Sequence, residues 1–342
     1  MINDQIRAMV LAAGVGSRLK PLSDQIPKPL IRIGGRTIMD HIMLLLKRHG
    51  ITNIISNTHY LADQIQSHFA DAKDRLGVDI QFVYEDQLSG VAGGIRRCQD
   101  FLRQSTACII MGDALTDIDL SLVYEQHKQA VKEHGCLATI AQMQVEDTTQ
   151  FGVIVTDSLL NPDSETPSRV VKFQEKPQAE DALSNWANTG VYFFEPEIYD
   201  YIPSVEEAAI YDVAGDLFPK LLAQGKFIQA VAVPQDSYWA DLGTPAQYIE
   251  SLADLASAKV NLDLGESISS QALISDQAVL EGNNEIGAGV KVGAGAKVKN
   301  SIIWDNVDIP EQAVVEDSII GPDYVFNGNK NITNKVLAKS LS

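Results

Sequence analysis

The sequence predicts an α/β fold, in which a mainly parallel, Rossmann-like sheet carries helices on both faces and a C-terminal left-handed parallel β-helix follows it. From residue 7 to about residue 245, short apolar runs alternate with longer helical patterns, which is typical of α/β proteins. Beyond about residue 260, aliphatic residues recur every six positions, as in hexapeptide β-helices. The chain has 342 residues, or about two domains at roughly 150 residues each. We therefore expect one domain over residues 1–260 and a second over residues 261–342.

Short apolar runs mark the strands of the predicted sheet. They cover Ala8–Leu11, Asn53–Asn57, Ile80–Tyr84, Ala107–Met111, Ala138–Gln142 and Val191–Phe194. Amphipathic helices are predicted over Ile38–His49 and Leu120–His134, with Gly50 and Gly135 as their C-caps. Ligands of such sheets bind at the carboxyl ends of the strands. Polar residues that follow an apolar run are therefore the first candidates for function.

The repeat region follows a helix that we predict from Thr244 as N-cap and Pro245 as first helical residue to about Lys259. The six-residue register comprises Ile268, Ile274, Leu280, Ile286, Val292 and Val298, and after one slip Ile303, Ile309 and Val315. In a β-helix of this kind each such residue points into the prism, and small residues form its corners. We expect the β-helix to serve assembly into a homo-oligomer, because its open end needs a cover. The last dozen residues are polar and are expected to form a loose end.

Composition restricts the partners and the compartment of the protein. Lys and Arg total 27 against 45 Asp and Glu, so the formal net charge is -18. Such a surface repels nucleic acid, and any phosphate must be bound by local cations and backbone amides. Cys98, Cys108 and Cys136 lack a CxxC spacing, which indicates the reducing cytoplasm. The apolar stretch Met9–Ala13 is too short to target or span a membrane.

A glycine-rich segment follows the first strand. It reads GVGSRLKPLSDQIPKPL over residues 14–30, where Gly14 and Gly16 expose backbone N–H groups, Arg18 follows, and Lys28 lies between two prolines. Cations and amides at one strand end form a cradle for a polyphosphate. The segment is not a Walker A loop, because no Gly-Lys-Ser/Thr closes it.

This segment resembles the signature of the sugar-1-phosphate nucleotidyltransferases, the family that makes NDP-sugars. Further motifs follow in the family's order: Met111-Gly112-Asp113, Phe151-Gly152, Glu175-Lys176-Pro177, Asn188-Thr189-Gly190 and Trp239-Ala240-Asp241-Leu242-Gly243-Thr244. A C-terminal hexapeptide β-helix is a known appendage of the family, and the sequence looks most like the mannose-1-phosphate guanylyltransferases. The resemblance covers the whole chain, and it implies an NTP and a sugar 1-phosphate as substrates.

The resemblance implies catalytic roles for four residues. In-line attack of a sugar-phosphate oxygen on the α-phosphorus of an NTP brings two anions together, so catalysis consists of positioning and charge neutralisation. Asp113 and Asp241 resemble the family's two Mg²⁺ carboxylates, although either residue alone could also cap a turn. Arg18 would hold the β- and γ-phosphates, and Lys28 would neutralise the α-phosphate or the incoming sugar phosphate.

The resemblance also implies sugar and nucleotide contacts. The sugar-phosphate contacts would be Gly152, Glu175, Lys176, Asn188 and Thr189, and the nucleotide contacts Leu11, Ala12, Ala13, Gly14, Gly16, Ser17, Glu85 and Gly90. The family usually has Ala where this chain has Thr189. Lys176 would bind the sugar phosphate, or it could be a surface lysine in the turn before Pro177.

The expected base depends on Glu85. Pyrimidine-using relatives often carry Gln at the matching position, five residues before the glycine that Gly90 resembles. A carboxylate only accepts hydrogen bonds, and guanine alone among the common bases offers two adjacent donors. We therefore expect GTP and mannose 1-phosphate as substrates, unless Glu85 faces solvent. The alternative is a glucose-1-phosphate uridylyl-, thymidylyl- or adenylyltransferase.

Two other functions would leave different marks on the sequence. A non-catalytic regulator that binds an NDP-sugar would be expected to lack part of the loop or the carboxylates, but Gly14, Gly16, Arg18, Lys28, Asp113 and Asp241 are all present. Acyl transfer in the β-helix would usually require a His base. All six histidines precede residue 135, which argues against that activity.

Overall fold

The chain forms two units in the structure, a computed structural model that describes residues 6–160, 168–205, 207–257 and 260–339. The first unit comprises the chain up to Gly14, Ile42–Gly112 and Ile118–Trp239. The second comprises Val15–His41, Asp113–Asp117 and the chain from Ala240 onward. The glycine-rich segment from Val15 onward therefore belongs to the same unit as the repeat region.

The six predicted strands and the three predicted helices are present. The strands before the repeat region are β1 Arg7–Ala12, β2 Arg32–Ile33, β3 Arg36–Thr37, β4 Asn53–Thr58, β5 Asp79–Tyr84, β6 Ala107–Met111, β7 Ala114–Thr116, β8 Ala138–Gln144, β9 Gly152–Thr156, β10 Val170–Glu175, β11 Trp186–Phe194, β12 Ile228–Ala232 and β13 Trp239–Asp241. The helices are α1 Ile38–Arg48, α2 Ala62–His68, α3 Ala72–Arg75, α4 Gly90–Arg97, α5 Gln99–Leu102, α6 Leu120–His134, α7 Asp157–Leu160, α8 Phe218–Ala223 and α9 Pro245–Ala256. None of the helices in the described part of the chain combines the length and hydropathy needed to cross a bilayer.

The first unit contains a nine-stranded Rossmann-like sheet in the order β10-β9-β11-β6-β1-β4-β5, with β8 joining β11 to β12. β1 runs parallel to β4 and β6, and β4 runs parallel to β5. The sheet is mixed rather than mainly parallel, because β11 pairs antiparallel with β6 and β8. The antiparallel pair β9 and β10 was not predicted, since half-exposed strands such as β10 (VVKFQE) lack a continuous apolar run.

The second unit contains two short strand pairs and α9 beside the repeat region. β2 and β3 form a hairpin closed by Gly34 and Gly35, and β13 pairs with β7. Helix α9 begins as predicted, because Thr244 Oγ1 accepts a hydrogen bond from the backbone N–H of Gln247 at 3.3 Å. Tyr248 lies on the buried face of this helix.

The repeat region is a β-helix of three parallel sheets. Its strands are β14 Leu273–Ile274, β15 Val279–Glu281, β16 Glu285–Ile286, β17 Lys291–Val292, β18 Lys297–Lys299, β19 Ile302–Ile303, β20 Asp308–Ile309, β21 Val314–Glu316, β22 Ile319–Ile320, β23 Asn331–Thr333 and β24 Val336–Leu337. The sheets run in the orders β14-β17-β20, β15-β18-β21-β23 and β16-β19-β22-β24. The slip in the register has a structural cause. Stacked corner residues such as Asn300 and Asp317 are 17 residues apart, one fewer than three full six-residue repeats would require. One of the three repeats in such a coil is therefore one residue short.

The chain beyond residue 330 differs from the loose end that we expected. β23 and β24 pair with β21 and β22 and so add to two of the three sheets. Ile332 continues the row of inward aliphatic residues and is 3% exposed. One buried aliphatic residue and the backbone pairing therefore outweigh the polar composition of this segment. Residues 340–342 lie outside the described residues.

Candidate functional site

Two carboxylates and one ammonium group meet in the second unit. Asp113 directly precedes β7, Asp241 ends β13, and these two strands pair. Lys28 Nζ donates a hydrogen bond to Asp113 Oδ2 and another to Asp241 Oδ1, both at 2.7 Å. With Arg18, whose Nη2 lies 3.4 Å from Asp241 Oδ2, these residues form what we call the carboxylate cluster. All four predicted catalytic residues therefore lie together.

Lys28 is the central cation of the carboxylate cluster. Its side chain is only 8% exposed. Lys28 lies between Pro27 and Pro29 and begins the short 3₁₀ turn Lys28–Leu30. Burial by itself lowers the pKa of Lys28, but the nearby carboxylates of Asp113 and Asp241 outweigh burial and hold that pKa above its usual value. Lys28 is therefore a fixed positive charge at neutral pH.

Arg18 presents its charge to solvent. Its side chain is 55% exposed, so its guanidinium is accessible to a phosphate group, which it can bind through two donors. The preceding Gly16 has a φ of +67°, and a Cβ at this position would lie 3.1 Å from Lys28 Cβ. The left-handed backbone and the close approach both require glycine here. Ser17 begins the turn that carries Arg18.

The donor set of the carboxylate cluster is suitable for a divalent cation. Asp113 and Asp241 lie within hydrogen-bonding distance of the same nitrogen, and their side chains are 35% and 27% exposed. Mg²⁺ is commonly held by one or two carboxylates together with substrate phosphates and water. The described residues contain no group of three or more His, Cys, Asp or Glu side chains that could hold a metal. A cation at Asp113 and Asp241 would therefore take its remaining ligands from substrate or water.

The predicted nucleotide contacts of the first unit lie at the carboxyl ends of its parallel strands. Leu11, Ala12 and Ala13 are buried, so this segment offers a ligand mainly its backbone groups. Gly14 is exposed, and nothing lies within 4 Å of the position of a Cβ there. Gly90 begins α4 with a φ of +77°.

Glu85 follows β5, and it is 1% exposed, so the solvent-facing alternative is wrong. Its Oε1 accepts a hydrogen bond from Asn57 Nδ2 at 2.6 Å. Its Oε2 accepts hydrogen bonds from the backbone N–H of Ser89 at 3.2 Å and from the Ser89 hydroxyl at 2.6 Å, and Arg97 Nε lies 3.6 Å away. Protein donors thus occupy both oxygens of this buried carboxylate. This geometry argues against direct recognition of guanine by Glu85.

Asn57 is a residue of the site that the sequence reasoning missed. It is 3% exposed, and its Oδ1 accepts a hydrogen bond from the backbone N–H of Ala12 at 3.1 Å. Glu85 therefore orients Asn57, and Asn57 in turn holds the end of β1. A signal was available in the sequence, because Asn57 is a polar residue at the carboxyl end of a predicted strand.

Four of the five predicted sugar contacts lie together in the first unit. Gly152 of β9 is opposite Glu175 of β10. A Cβ at Gly152 would lie 3.1 Å from Glu175 Oε2 and 3.9 Å from Asn188 Cβ. Lys176 follows with its Nζ 3.8 Å from Glu175 Oε1, and the two side chains are 57% and 59% exposed. Both charged groups are thus accessible to a ligand.

Thr189 is buried in the first unit. It is 2% exposed, its hydroxyl donates to the Ala141 carbonyl at 2.7 Å, and its own carbonyl accepts from Trp239 Nε1 at 2.9 Å. Its polar atoms are therefore engaged within the first unit. The Thr189 side chain therefore offers no accessible hydroxyl in the structure, and its role as a sugar-phosphate contact stays a prediction.

Two family models match the chain. The model described as Nucleotidyl transferase matches residues 7–258, and the model described as GMPPB C-terminal domain matches residues 266–341. A solved structure of UDP-glucose pyrophosphorylase complexed with UDP-glucose aligns with a TM-score of 0.60 at 21% identity, over 73% of this chain and 98% of that one. At that identity the alignment supports the fold alone.

Two curated relatives have different specificities. A UTP–glucose-1-phosphate uridylyltransferase of Synechocystis sp. is 38% identical over 268 residues, which are 75% of this chain and 64% of the relative. A mannose-1-phosphate guanylyltransferase of Mycobacterium tuberculosis is 32% identical over 255 residues, which are 75% of this chain and 66% of the relative. The chain thus spans slightly less than two thirds of the length of these relatives.

Proposed function

Because the chain belongs to the nucleotidyl transferase family, we propose that it is a sugar-1-phosphate nucleotidyltransferase, which converts an NTP and a hexose 1-phosphate to an NDP-sugar and pyrophosphate. The observation that carries this proposal is the carboxylate cluster, in which Lys28 Nζ lies 2.7 Å from both Asp113 and Asp241. Such a group of fixed charges suits a reaction between two phosphate anions.

In the proposed reaction, a phosphate oxygen of the sugar 1-phosphate attacks the α-phosphorus of the NTP. The new bond joins this oxygen to the α-phosphorus, the bond to the bridging oxygen of the β-phosphate breaks, and pyrophosphate leaves with that oxygen. Lys28 neutralises charge at the α-phosphate, and the exposed guanidinium of Arg18 stabilises the departing pyrophosphate. No proton has to be abstracted, because the attacking group is already an anion.

We propose Mg²⁺ as the cofactor, held by Asp113 and Asp241. When bound, the ion would neutralise phosphate charge and help to orient the triphosphate. In the first unit, Gly152, Glu175 and Asn188 would contact the sugar, and the accessible Lys176 would bind its phosphate. Backbone groups of residues 11–14, together with Gly90, would contact the nucleotide.

We propose GTP and mannose 1-phosphate as the substrate pair. The match of residues 266–341 to the GMPPB C-terminal domain and the guanylyltransferase relative from Mycobacterium tuberculosis support this choice. UTP and glucose 1-phosphate are the second candidate, since the uridylyltransferase relative shares the higher identity of 38%. The buried Glu85 favours neither base.

One assay tests the function and the specificity together. The purified full-length chain would be combined with GTP, UTP, dTTP or ATP and with the 1-phosphate of mannose, glucose, N-acetylglucosamine or galactose, and pyrophosphate release would be measured. We expect the highest kcat/KM for GTP with mannose 1-phosphate. Preference for UTP with glucose 1-phosphate would select the second candidate, and no release with any pair would refute the proposed function.

The Glu85 contacts lead to a prediction about base selection. Glu85→Gln removes the negative charge of residue 85 and one of the two oxygens that accept hydrogen bonds from Asn57 and Ser89. We therefore expect kcat/KM to fall by a similar factor for every NTP, about 10-fold. The measurement is the ratio of kcat/KM values between GTP and UTP in the wild type and the variant. A changed ratio would show that Glu85 contacts the base after all. Lys73→Gln, at an exposed ion pair with Asp79, is the control for an unrelated charge change.

We propose that the catalytic domain covers residues 1–260 and the β-helix domain residues 261–342. The boundary is supported by the family models, which end at residue 258 and begin at residue 266. We also propose a cytoplasmic location, supported by the free and buried state of Cys98, Cys108 and Cys136.

We propose that the chain forms a homo-oligomer through the first coil of the β-helix. β14 and β15 are the first strands of their sheets, and Ile268, Leu273 and Val279 of this coil are 41%, 64% and 46% exposed. An apolar surface at the first strands of two sheets is one that a second copy can cover. We expect light scattering to show an oligomer for the wild type and a smaller species for Leu273→Lys. A monomeric wild type would contradict the proposal.

A further inference from the structure

Glu285 is a charged residue in an otherwise aliphatic position of the β-helix. It lies in β16, and the residues paired with it along the same sheet are Ile302 and then Ile319. Glu285 is 1% exposed, and both isoleucines are fully buried. A buried carboxylate is costly unless charges and hydrogen bonds compensate it. Its partners therefore indicate what it does.

Among the described residues, the hydrogen-bond partners of the Glu285 carboxylate belong to the β2–β3 hairpin. Its Oε2 accepts from the backbone N–H of Gly34 at 2.8 Å, and its Oε1 accepts from the backbone N–H of Gly35 at 3.3 Å and from Arg32 Nε at 3.2 Å. Burial raises the pKa of Glu285 to about 7, while Arg32 and the two amides act in the opposite direction. The ionised carboxylate thus depends on the hairpin for its stability.

The β-helix holds Arg32 by further contacts. Arg32 Nη1 donates to Asp305 Oδ1 at 2.8 Å, and its guanidinium lies 4.9 Å from the ring centroid of Trp304. A Cβ at Gly287 would lie 2.1 Å from Asp305 Oδ1 and 2.6 Å from Arg32 Nη2. The β-helix therefore has a fitted socket for this arginine, formed by Glu285, Gly287, Trp304 and Asp305.

Arg32, which this socket holds, is linked along the chain to the carboxylate cluster. Lys28 precedes Arg32 by four residues, and the intervening Ile31 is fully buried. The carbonyl of Arg32 accepts a hydrogen bond from the hydroxyl of Tyr248. Tyr248 belongs to α9, which begins at Pro245, shortly after Asp241. Arg32 is therefore connected to Lys28 along the chain and, through Tyr248, to the helix that follows Asp241.

We infer that Glu285 of the β-helix is a positioning residue for the proposed reaction, because it fixes the hairpin that follows Lys28. The inference rests on the proposed function, and it adds a catalytic contribution to a domain from which the sequence predicted only assembly. A misplacement of about 1 Å at a reacting group costs up to 10²-fold in rate. The β-helix therefore supports catalysis without contacting substrate.

The test compares Glu285→Ala and Glu285→Gln with Glu281→Gln in the full-length chain. Glu281 belongs to the same β-helix, but its side chain is exposed and its Oε2 lies 3.1 Å from Lys297 Nζ. Glu281→Gln therefore controls for the loss of a carboxylate from the β-helix. Amide hydrogen exchange of residues 28–37 reports the order of the hairpin. Pyrophosphate release, measured where circular dichroism shows a folded protein, gives kcat and KM separately.

We expect faster exchange over residues 28–37 in Glu285→Ala, with kcat lowered about 10-fold or more and KM changed little. Glu285→Gln, which keeps an acceptor, should recover part of both effects, and Glu281→Gln should match the wild type. Unchanged exchange, or faster exchange with unchanged kcat, would overturn the inference. A wild type that releases no pyrophosphate would refute the proposed function instead, and exchange would still show whether Glu285 orders the hairpin.

Discussion

Asp113→Ala and Asp241→Ala are each expected to lower kcat for pyrophosphate release by about two orders of magnitude or more, because uncompensated charge in the transition state costs several kcal/mol. Each substitution removes one of the two carboxylates that Lys28 Nζ contacts at 2.7 Å. It also removes one of the two carboxylates available to a divalent cation. The measurement is steady-state release of pyrophosphate at saturating NTP and sugar 1-phosphate.

Asp79→Ala is the matched control for these two variants. Asp79 also pairs with a lysine, Lys73, at 2.9 Å, but its side chain is 64% exposed and belongs to β5. Exposed pairs of this kind contribute little to stability, so this variant should retain full kcat. Full activity of either catalytic variant, or turnover in excess EDTA, would contradict the assignment of the two carboxylates.

Much of the fold could be predicted from the sequence because the signals are local. The strands β1, β5 and β6 are short apolar runs, and α6 ends at Gly135, which has a φ of +63°. The six-residue register predicted the β-helix, and the two family models confirm the family that the motifs indicated. The direction of β11 could not be predicted in this way, because strand pairing depends on long-range packing rather than on composition.

The residues of the candidate site likewise could be predicted where the signal is local and could not where it depends on the tertiary fold. The four catalytic candidates could be predicted because they lie in recognisable motifs, Arg18 and Lys28 in the glycine-rich segment and Asp113 and Asp241 in one further motif each. The structure brings all four together. Glu85 was assigned from its side-chain chemistry alone, which does not show whether its acceptors are free. The tertiary fold places a donor of Asn57 at one oxygen of Glu85 and a donor of Ser89 at the other. A buried carboxylate needs such partners.

The β-helix shows a related limit of sequence reasoning. Its register gave no reason to read Glu285 as different from any polar residue between the aliphatic positions. Only the hairpin amides at 2.8 and 3.3 Å reveal that this carboxylate faces the segment after Lys28. The second unit therefore joins the segment that binds phosphate in our proposal to a domain that appears in sequence as a separate module.

Lys28→Met is expected to change turnover and metal binding in opposite directions. Loss of the buried cation should lower kcat by about 10²-fold, because charge at the α-phosphate is no longer neutralised. In the structure, however, Lys28 Nζ contacts one oxygen of Asp113 and one of Asp241. Without it two like charges face each other, so a divalent cation should bind this pair more tightly.

Isothermal titration of nucleotide-free protein with Mg²⁺, alongside kcat, separates this effect from simple loss of structure, since an unfolded variant would lose both properties. Lys128→Met is the control, because Lys128 contacts Glu125 at 2.8 Å in an exposed pair on α6. It should leave kcat and Mg²⁺ affinity unchanged. If Lys28→Met bound Mg²⁺ no more tightly than the wild type, the prediction that Lys28 competes with the cation for the two carboxylates would be wrong. If it kept full kcat, Lys28 would have no part in neutralising the phosphate, and the four-residue cluster would reduce to its two carboxylates and Arg18.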